Sequence, residues 1–439
     1  MVVVSDFPVV EVVKNRLYFT CFTKVPLPQP GIQFVCTDRT LLYWNFFLDF
    51  GPMNLGQTYR FCELVQGKLD DFPQDKIVYY CAGNHGQRRA NSVMLICAYQ
   101  MLVLGRSAME AFRPFQNQFV LPPFHDATPC HCSYELTVLD CLMGMDKAIR
   151  LGFCNFNTFN PDEYEHFEKV ESGDLSWIFP GKFVAFAGPH EERSHDAMYP
   201  KCIPEDYLEH FGEKNVGLVI RLNKKYYEES RFTRRGVDHE ELYYPDGSNP
   251  PLEILERFLA ICESRPQNEA IAVHCKAGLG RTGTCIGAYA MKHYGFTSKE
   301  VIGWMRICRP GSVIGPQQQY LDAMQDYLFK SNNLHKRPSR GVTVTPSNVC
   351  LQQVMSDEEV DKSQGDFLIS AKAHHAISSP AAATPDDTKK RIAFASSASS
   401  GTTAVEEYET CAENDTGGGG GGSVLYAFRM SVSRKIFGK

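Results

Sequence analysis

A cysteine and an arginine frame a glycine-rich segment in the second half of the chain, which reads HCKAGLGRT from His274 to Thr282. Apolar residues typical of a strand precede it, and the residues from Arg281 to Tyr294 predict a helix. Backbone amides at the N-terminus of a helix bind anions, and a guanidinium group can hold two phosphoryl oxygens at once. We therefore expect this loop to bind a phosphate group. The residues expected to hold it are Lys276, Ala277, Gly278, Leu279, Gly280 and Arg281.

Cys275 would face the bound phosphate from within this loop. The positive field of the amides and the guanidinium favours the thiolate, and a thiolate in line with a phosphorus atom is a nucleophile. We predict a phosphocysteine intermediate, with the Thr282 hydroxyl donating a hydrogen bond to Cys275 so that the sulfur can leave in the second step. A buried cysteine beside an ordinary tight turn is the alternative. It does not explain why His, Cys, Gly, Arg and Thr follow an apolar strand in this order.

An acid for the leaving alkoxide is expected in the turn-rich segment YYPDGSNP, from Tyr243 to Pro250. Asp246 lies in this segment and could reach over the phosphate-binding loop. A Pro-Asp-Gly turn is also an ordinary surface turn, so the assignment depends on the presence of Cys275. The competing carboxylates are expected to be exposed charges on the preceding strand, and they are Asp238, Glu240 and Glu241.

The elements around the cysteine occur twice. The segment AYQMLVLGRSAMEA (Ala98–Ala111) aligns without gaps on AYAMKHYGFTSKEV (Ala288–Val301), and an apolar run that ends in cysteine precedes each copy. Two copies of one α/β unit therefore fit the chain, although chance similarity of two amphipathic helices is the alternative. The first copy carries Cys81 but has Asn91 in place of the arginine, so we predict that it is catalytically degenerate.

Composition sets further limits on function. The chain has 439 residues, 43% of them hydrophobic, and a net charge of −6, which is typical of a soluble globular protein and favours no nucleic-acid partner. We expect no membrane span, because no run of 18 apolar residues occurs. The 16 cysteines are scattered without paired metal-ligand spacing, so we expect reduced thiols, no metal and no cofactor.

The segments around these motifs resemble the mitotic-exit phosphatases, the cell-division-cycle protein fourteen family. The resemblance covers roughly residues 10 to 330 and includes DFGPMNLGQTYRFC, PGKFVAFAGPH, VIRLNKK, AIAVHCKAGLGRTGT and RICRPGSVIGPQQQ. It implies an α/β fold with two tandem domains similar to dual-specificity phosphatases, each with a central, mostly parallel sheet flanked by helices. Pro245, before the expected acid, departs from the small residue expected there and resembles the Asp loop of tyrosine phosphatases.

The resemblance also implies a substrate preference for phosphoserine followed by proline, with a basic residue further on. Glu165 and Glu168 are three positions apart and could share a helix face that meets this basic residue. As bare sequence, they would belong to a solvated acidic linker. The implied specificity residues are Glu165, Glu168, Glu171 and Asp174, and the glutamines implied to face the phosphoryl group are Gln317 and Gln318.

Four regions follow from these observations. Residues 1–160 form a degenerate phosphatase-like domain, 161–176 an acidic linker helix, 177–330 the catalytic domain and 331–439 a disordered low-complexity tail. The basic triplet Lys389-Lys390-Arg391 in the tail could serve in nuclear import. We expect the protein in the nucleus and cytoplasm, including the nucleolus or the spindle and centrosome. Its oligomeric state stays open.

Two other functions compete with protein dephosphorylation. A phosphoinositide phosphatase is suggested by Lys276, as in the loop of the tumour-suppressor lipid phosphatase, but Leu279 stands where that enzyme has a second lysine. A phosphate-binding scaffold without turnover is disfavoured because Cys275, Arg281 and Asp246 are all present. The expected partners are therefore phosphoproteins made by proline-directed kinases, in cell-cycle, mitotic-exit or cytokinesis control.

Overall fold

The computed structural model describes residues 5–194, 201–331 and 364–378. The first sheet has the order β1-β2-β4-β3, in which β1 is antiparallel to β2 and the remaining pairs are parallel. Its strands are β1 (Val10–Val13), β2 (Leu17–Phe22), β3 (Ile32–Val35) and β4 (Lys76–Ala82). The helices that follow are α1 (Leu55–Asp71), α2 (Gly86–Leu102), α3 (Ala108–Phe112) and α4 (Val138–Arg150).

The second sheet has the order β5-β6-β9-β7-β8, with β5 antiparallel to β6 and the other pairs parallel. Helix α5 (Pro161–Phe167) and a 3-10 turn (Val170–Ser172) lead into it. Its strands are β5 (Leu175–Phe179), β6 (Phe183–Phe186), β7 (Val216–Arg221), β8 (Asp238–Glu241) and β9 (Ala270–His274). The helices are α6 (Leu208–Glu213), α7 (Ser230–Thr233), α8 (Leu252–Ser264), α9 (Gly280–Tyr294), α10 (Ser298–Cys308), α11 (Pro316–Ser331) and α12 (Gln364–Ser378), with a 3-10 turn at Pro204–Tyr207.

Strands β4 and β9 hold equivalent places, each paired in parallel with a neighbour on both sides. Every residue of β9 is buried, which explains its continuous apolar sequence AIAVH. In both domains the central strand ends at a cysteine loop, and a long helix follows. The structure therefore confirms the predicted duplication of an α/β unit.

The two domains share one hydrophobic core through helices α4 and α10. The helices touch at glycines: a Cβ on Gly144 would lie 2.1 Å from the Glu300 carbonyl oxygen, and one on Gly303 would lie 2.7 Å from the Cys141 Cα. Lys147 adds an ion pair with Glu300 at 2.5 Å. Backbone therefore meets backbone at this contact, and a larger side chain at either glycine would force the two helices apart.

Two of the predicted regions differ from the structure. The predicted boundary after residue 176 divides strand β5, and the predicted linker helix ends at Phe167. The prediction of disorder is wrong for Gln364–Ser378, which form helix α12, while the rest of the tail, including the Lys389 triplet, lies outside the described residues. Within the ranges described, no helix has the length and apolar character to cross a membrane.

Candidate active site

The loop from Cys275 to Leu279 joins the buried strand β9 to helix α9. Its shape requires glycine at two positions. Gly278 has φ +67, and a Cβ there would lie 2.1 Å from the carbonyl oxygen of Phe186 on the neighbouring strand β6. A Cβ on Gly280 would lie 2.8 Å from the Gln317 Oε1. The backbone therefore curls around the start of α9 as the sequence predicts, with Cys275 3% exposed.

Arg281 is held in place by the backbone of neighbouring segments. Its Nη1 donates to the Tyr244 carbonyl at 2.9 Å and lies 3.4 Å from the Leu222 carbonyl. Its Nη2 lies 3.1 Å from the Asp246 Oδ1. A buried guanidinium fixed in this way keeps its planar fork in one orientation beside the loop. The Thr282 hydroxyl is buried and has no hydrogen-bond partner in the described residues, so its expected bond to Cys275 stays a prediction.

The structure brings Asp246 to the loop and leaves its competitors elsewhere. Besides the contact with Arg281, the Asp246 Oδ2 accepts a hydrogen bond from the Gly365 amide at 2.9 Å. The competing carboxylates form ion pairs with other arginines: Asp238 with Arg265, Glu240 with Arg257 and Glu241 with Arg221. Of the four candidate carboxylates, Asp246 is therefore the one that lies against Arg281 of this loop, and its role as the acid stays a prediction.

The two glutamines of α11 have different environments. Gln317 lies beside Gly280, and its Nε2 donates to the Ser248 carbonyl of the Asp246 loop at 3.1 Å. Gln318 accepts a hydrogen bond from Arg306 at 2.7 Å and donates to the Gly315 carbonyl at 3.2 Å. The Gln317 Oε1 also accepts from the Ile314 amide at 3.0 Å, so both side chains are hydrogen-bonded within the chain, and Gln317 is the one beside the cysteine loop. Their role at the phosphoryl group stays a prediction.

Helix α12 lies across the loop, which the sequence analysis did not foresee. Lys276 forms an ion pair with Asp366 at 2.5 Å. Leu368 packs in an apolar cluster that lines the groove and contains Phe46, Ala127, Ala277, Leu279 and Ile314. The apolar run FLI within Gln364–Ser378 was the available signal, since it interrupts an otherwise polar and small-residue tail.

The predicted acidic residues fall into two groups. Asp174 is buried and lies 2.8 Å from Arg309, and it also pairs with Lys372 of α12. Burial alone would raise the pKa of Asp174, but Arg309 and Lys372 outweigh it and hold the pKa below its ordinary value. Glu168 is partly buried beside them, and burial raises its pKa. With Arg309, these two carboxylates form a charged site in which Lys372 pairs with Asp174 and interacts electrostatically with Glu168.

Glu165 and Glu171 contribute less to this site. Glu165 accepts a hydrogen bond from the Arg60 Nε at 3.1 Å, so its charge is compensated by helix α1. Glu171 is exposed on the 3-10 turn. Within the described part of the chain, no contact links either of them to Lys372.

A hydrogen-bonded chain that the sequence analysis missed lies behind the cysteine loop. The His274 Nδ1 lies 2.9 Å from the Cys275 carbonyl oxygen, so it carries the proton and donates. The His274 Nε2 accepts from the Tyr227 hydroxyl at 2.7 Å, and the Tyr227 oxygen accepts from the His239 Nε2 at 2.9 Å. Burial lowers the pKa of His274 to about 3 and that of His239 to about 4. Both imidazoles are therefore neutral at physiological pH.

The equivalent loop of the first domain has a different chemistry. The Cys81 Sγ lies 3.6 Å from the Cys21 Sγ, and this hydrogen bond together with burial raises the pKa of Cys81 well above its ordinary value. The first amide of the loop, that of Ala82, donates to the Asp38 Oδ2 at 2.9 Å. A carboxylate of the chain itself thus takes a place where an anion could bind, beside a cysteine that stays a thiol.

Comparisons with known proteins agree with this architecture. Residues 11–148 match a family profile described as the N-terminal half of dual specificity protein phosphatases, which confirms that the first domain is phosphatase-like, while its loss of catalysis stays a prediction. Residues 197–295 match a profile described as a DSP-PTPase phosphatase of polymorphic toxin systems.

Full-length relatives show similarity across both domains. The chain is 49% identical over 324 residues to dual specificity protein phosphatase CDC14AB of Danio rerio, covering 73% of this chain and 52% of the relative. It is 43% identical over 350 residues to CDC14B of Mus musculus, covering 79% and 72%. It is also 36% identical over 346 residues to the tyrosine-protein phosphatase CDC14 homolog of Schizosaccharomyces pombe, covering 76% and 64%. The chain spans about half the length of the zebrafish protein. Its identity to these proteins across both domains shows that it belongs to the CDC14 family of dual specificity protein phosphatases.

Proposed function

We propose that the chain hydrolyses phosphoserine and phosphothreonine esters of proteins, and phosphotyrosine esters, by way of a phosphocysteine intermediate. The observation that carries this proposal is the meeting of three groups from separate segments. Cys275 opens the amide loop, Arg281 is fixed beside it, and Asp246 lies 3.1 Å from the arginine. These are the nucleophile, the phosphoryl-binding cation and the acid that phosphate-ester cleavage needs.

The first chemical step transfers the phosphoryl group to sulfur. The Cys275 thiolate attacks phosphorus, the bond to the substrate oxygen breaks, and Asp246 gives its proton to the departing alkoxide. The loop amides and Arg281 stabilise the charge on the three equatorial oxygens. In the second step water attacks the same phosphorus, the Asp246 carboxylate accepts a proton from the water, and the thiolate leaves. The products are an alcohol and inorganic phosphate, and Cys275 is regenerated.

The site of Glu168 and Asp174 supports a preference for substrates with a basic residue after a phosphoserine-proline pair. Lys372 of the chain itself occupies this site while the same helix contacts Lys276 beside the nucleophile. A helix that reaches both places demonstrates that one polypeptide segment can present a cation to the carboxylates and also lie over the loop. This observation favours a peptide substrate over a phosphoinositide, and Leu279, buried in the apolar cluster, supplies no second cation.

The cellular assignment extends this proposal. Phosphoproteins made by proline-directed kinases would be the substrates, in cell-cycle, mitotic-exit or cytokinesis control, with the protein in the nucleus and cytoplasm, including the nucleolus or the spindle and centrosome. The family membership and the charged site support this role. Fluorescence imaging of the tagged full chain through division tests it, and a location that excludes the nucleus throughout would contradict it.

Replacement of two residues tests the chemistry. Cys275→Ser should abolish hydrolysis of p-nitrophenyl phosphate, since loss of a nucleophile costs many orders of magnitude in rate. Asp246→Asn should slow a phosphoserine peptide far more than p-nitrophenyl phosphate, because nitrophenolate leaves without a proton and a serine alkoxide does not. The matched control is Asp238→Asn, whose carboxylate pairs with Arg265. Equal losses on both substrates in Asp246→Asn, or a large loss in Asp238→Asn, would contradict the assignment of the acid.

A further inference from the structure

Asn54 of the first domain reaches across the groove to Glu168. Its Nδ2 donates to the Glu168 Oε1 at 2.9 Å and lies 3.1 Å from the Oε2. Its Oδ1 accepts from the Gln57 amide at 2.8 Å and so caps helix α1. The Asn54 side chain therefore makes two contacts. Its oxygen accepts from a backbone amide of the first turn of α1, and its nitrogen donates to the Glu168 carboxylate. Serine or aspartate could replace the cap but has no N–H to donate.

The orientation of the Glu168 carboxylate depends on its contact with Asn54. Among the described residues, Asn54 is the hydrogen-bond donor to its carboxylate. The carboxylate is partly buried and stands near the negative charge of Asp174, and both effects disfavour ionisation, whereas Lys372 and Arg309 favour it. A hydrogen bond to the charged form favours ionisation as well.

Residues of helix α1 and its N-cap make different kinds of contact with Glu165 and Glu168. Arg60 binds Glu165 through a charged group and thereby compensates its charge. Asn54 binds Glu168 through a neutral amide, so the carboxylate is oriented but keeps its negative charge for a cation. The occupant seen in the structure is Lys372, which interacts electrostatically with both Glu168 and Asp174.

We infer that Asn54 is a positioning residue for substrate specificity: it orients the Glu168 carboxylate that, with Asp174, receives the basic residue of a phosphopeptide. The inference rests on the proposed function and assigns part of the substrate preference to the first domain. It also explains why a domain with a thiol Cys81 and its own carboxylate in the loop contributes to the reaction.

The experiment compares two peptides, pSer-Pro-x-Lys and pSer-Pro-x-Ala, on the full chain and its Asn54→Ser variant. The ratio of their kcat/KM values should fall about tenfold or more in Asn54→Ser, which is the size expected for one hydrogen bond to a charged group. The change should lie in KM of the lysine peptide, and p-nitrophenyl phosphate turnover should be unaffected. Glu168→Gln should lower the same ratio, and the double variant should lower it no further.

Gln57→Ala is the matched control. Gln57 shares the capping box of α1 with Asn54, and within the described residues its hydrogen bonds go to Asn54 and Leu42 rather than to Glu168. If Gln57→Ala lowers the ratio as much as Asn54→Ser, the effect comes from the helix and the inference is wrong. Each variant is also measured with Lys372→Ala, because Lys372 would otherwise compete with the peptide for the same carboxylates.

A binding measurement separates this inference from the proposed catalysis. The Cys275→Ser variant is titrated with the two peptides, by fluorescence anisotropy, with and without Asn54→Ser. If the wild-type chain hydrolyses neither peptide while binding still favours lysine in an Asn54-dependent way, the catalytic proposal fails and the positioning role stands. If both peptides are hydrolysed with an unchanged ratio in Asn54→Ser, the positioning role is overturned and the phosphatase activity stands.

Discussion

Replacing His239 by glutamine should make the protein less sensitive to mild acid. His239 donates from Nε2 to the Tyr227 oxygen, Tyr227 donates to His274, and His274 donates to the Cys275 carbonyl. The direction is fixed because a carbonyl oxygen can only accept. These three hydrogen bonds can form together while both imidazoles are neutral. Glutamine at position 239 can donate from its own Nε2 but cannot titrate.

The sign and size of the effect follow from the lowered pKa. Burial, with Arg221 nearby, lowers the pKa of His239 to about 4 in the folded protein, against about 6.5 in an unfolded chain. Between these values the unfolded chain binds a proton that the folded protein does not, so the free energy of unfolding falls as the pH falls below 6.5. At pH 5, about 1.5 pH units below that value, the loss is about 2 kcal/mol for His239. The neighbouring Lys225 and Glu229 act in opposite directions on this pKa.

Urea unfolding at pH 7.5 and pH 5, followed by circular dichroism, measures this loss. The difference between the two pH values should be about 2 kcal/mol smaller in His239→Gln than in the wild-type chain. His274 keeps its own contribution in both proteins and therefore cancels. His166→Gln, at an exposed position, is the control and should behave as the wild type does. An identical pH dependence in His239→Gln and wild type would refute the reasoning.

Three further predictions concern the two cysteine loops. Cys81→Ser should leave p-nitrophenyl phosphate turnover unchanged, and a large loss in that assay would mean that the first domain takes part in the chemistry. Gly278→Ala should lower the thermal unfolding midpoint, at a cost of about 1–3 kcal/mol for the left-handed backbone alone, and should abolish turnover because the new Cβ meets the Phe186 carbonyl. Arg309→Met should lower the free energy of urea unfolding by about 1–3 kcal/mol, since the variant loses hydrogen bonds to the Gly278 and Ala277 carbonyls while Lys372 still compensates Asp174. A midpoint within error of wild type in either variant would contradict these assignments.

The parts of the site that local sequence determines were predictable. The strand, glycine-rich loop and helix around Cys275 are adjacent in the chain, and each element carries its own signal. Asp246 could be found because turn residues surround it and because the chemistry requires an acid. The domain duplication was visible for the same reason, as a repeated pattern of apolar and capping positions.

Features that depend on where an element ends were not predictable. Spacing suggested that Glu165 and Glu168 share a helix face, but α5 ends at Phe167 and Glu168 is its C-cap. The two carboxylates therefore diverge, one toward Arg60 and the other toward Asn54.

Contacts between distant segments, and the position of helix α12, could not be predicted from the sequence either. The hydrogen bonds that link His239 to His274 through Tyr227 could be predicted only from the strand order β9-β7-β8, which no local pattern contains. Helix α12 required the groove itself, because a short amphipathic helix gains most of its stability from the surface on which it packs.

The two cysteine loops show how one α/β unit serves two purposes. In the second domain, under the proposed function, the glycine-rich loop, Arg281 and Asp246 act together on a phosphate from outside the chain. In the first domain the amide of Ala82 already binds the Asp38 carboxylate, and the loop cysteine is hydrogen-bonded to a second thiol. The arginines of the first copy act within the loop itself, since Arg88 lies 3.8 Å from the Asp38 Oδ2 and Arg89 donates to the Gly83 carbonyl at 2.7 Å. At the start of α1, the neutral amide of Asn54 meets Glu168. Under the inference drawn from this contact, the first domain contributes to specificity by orienting a carboxylate that lies beyond its own boundaries.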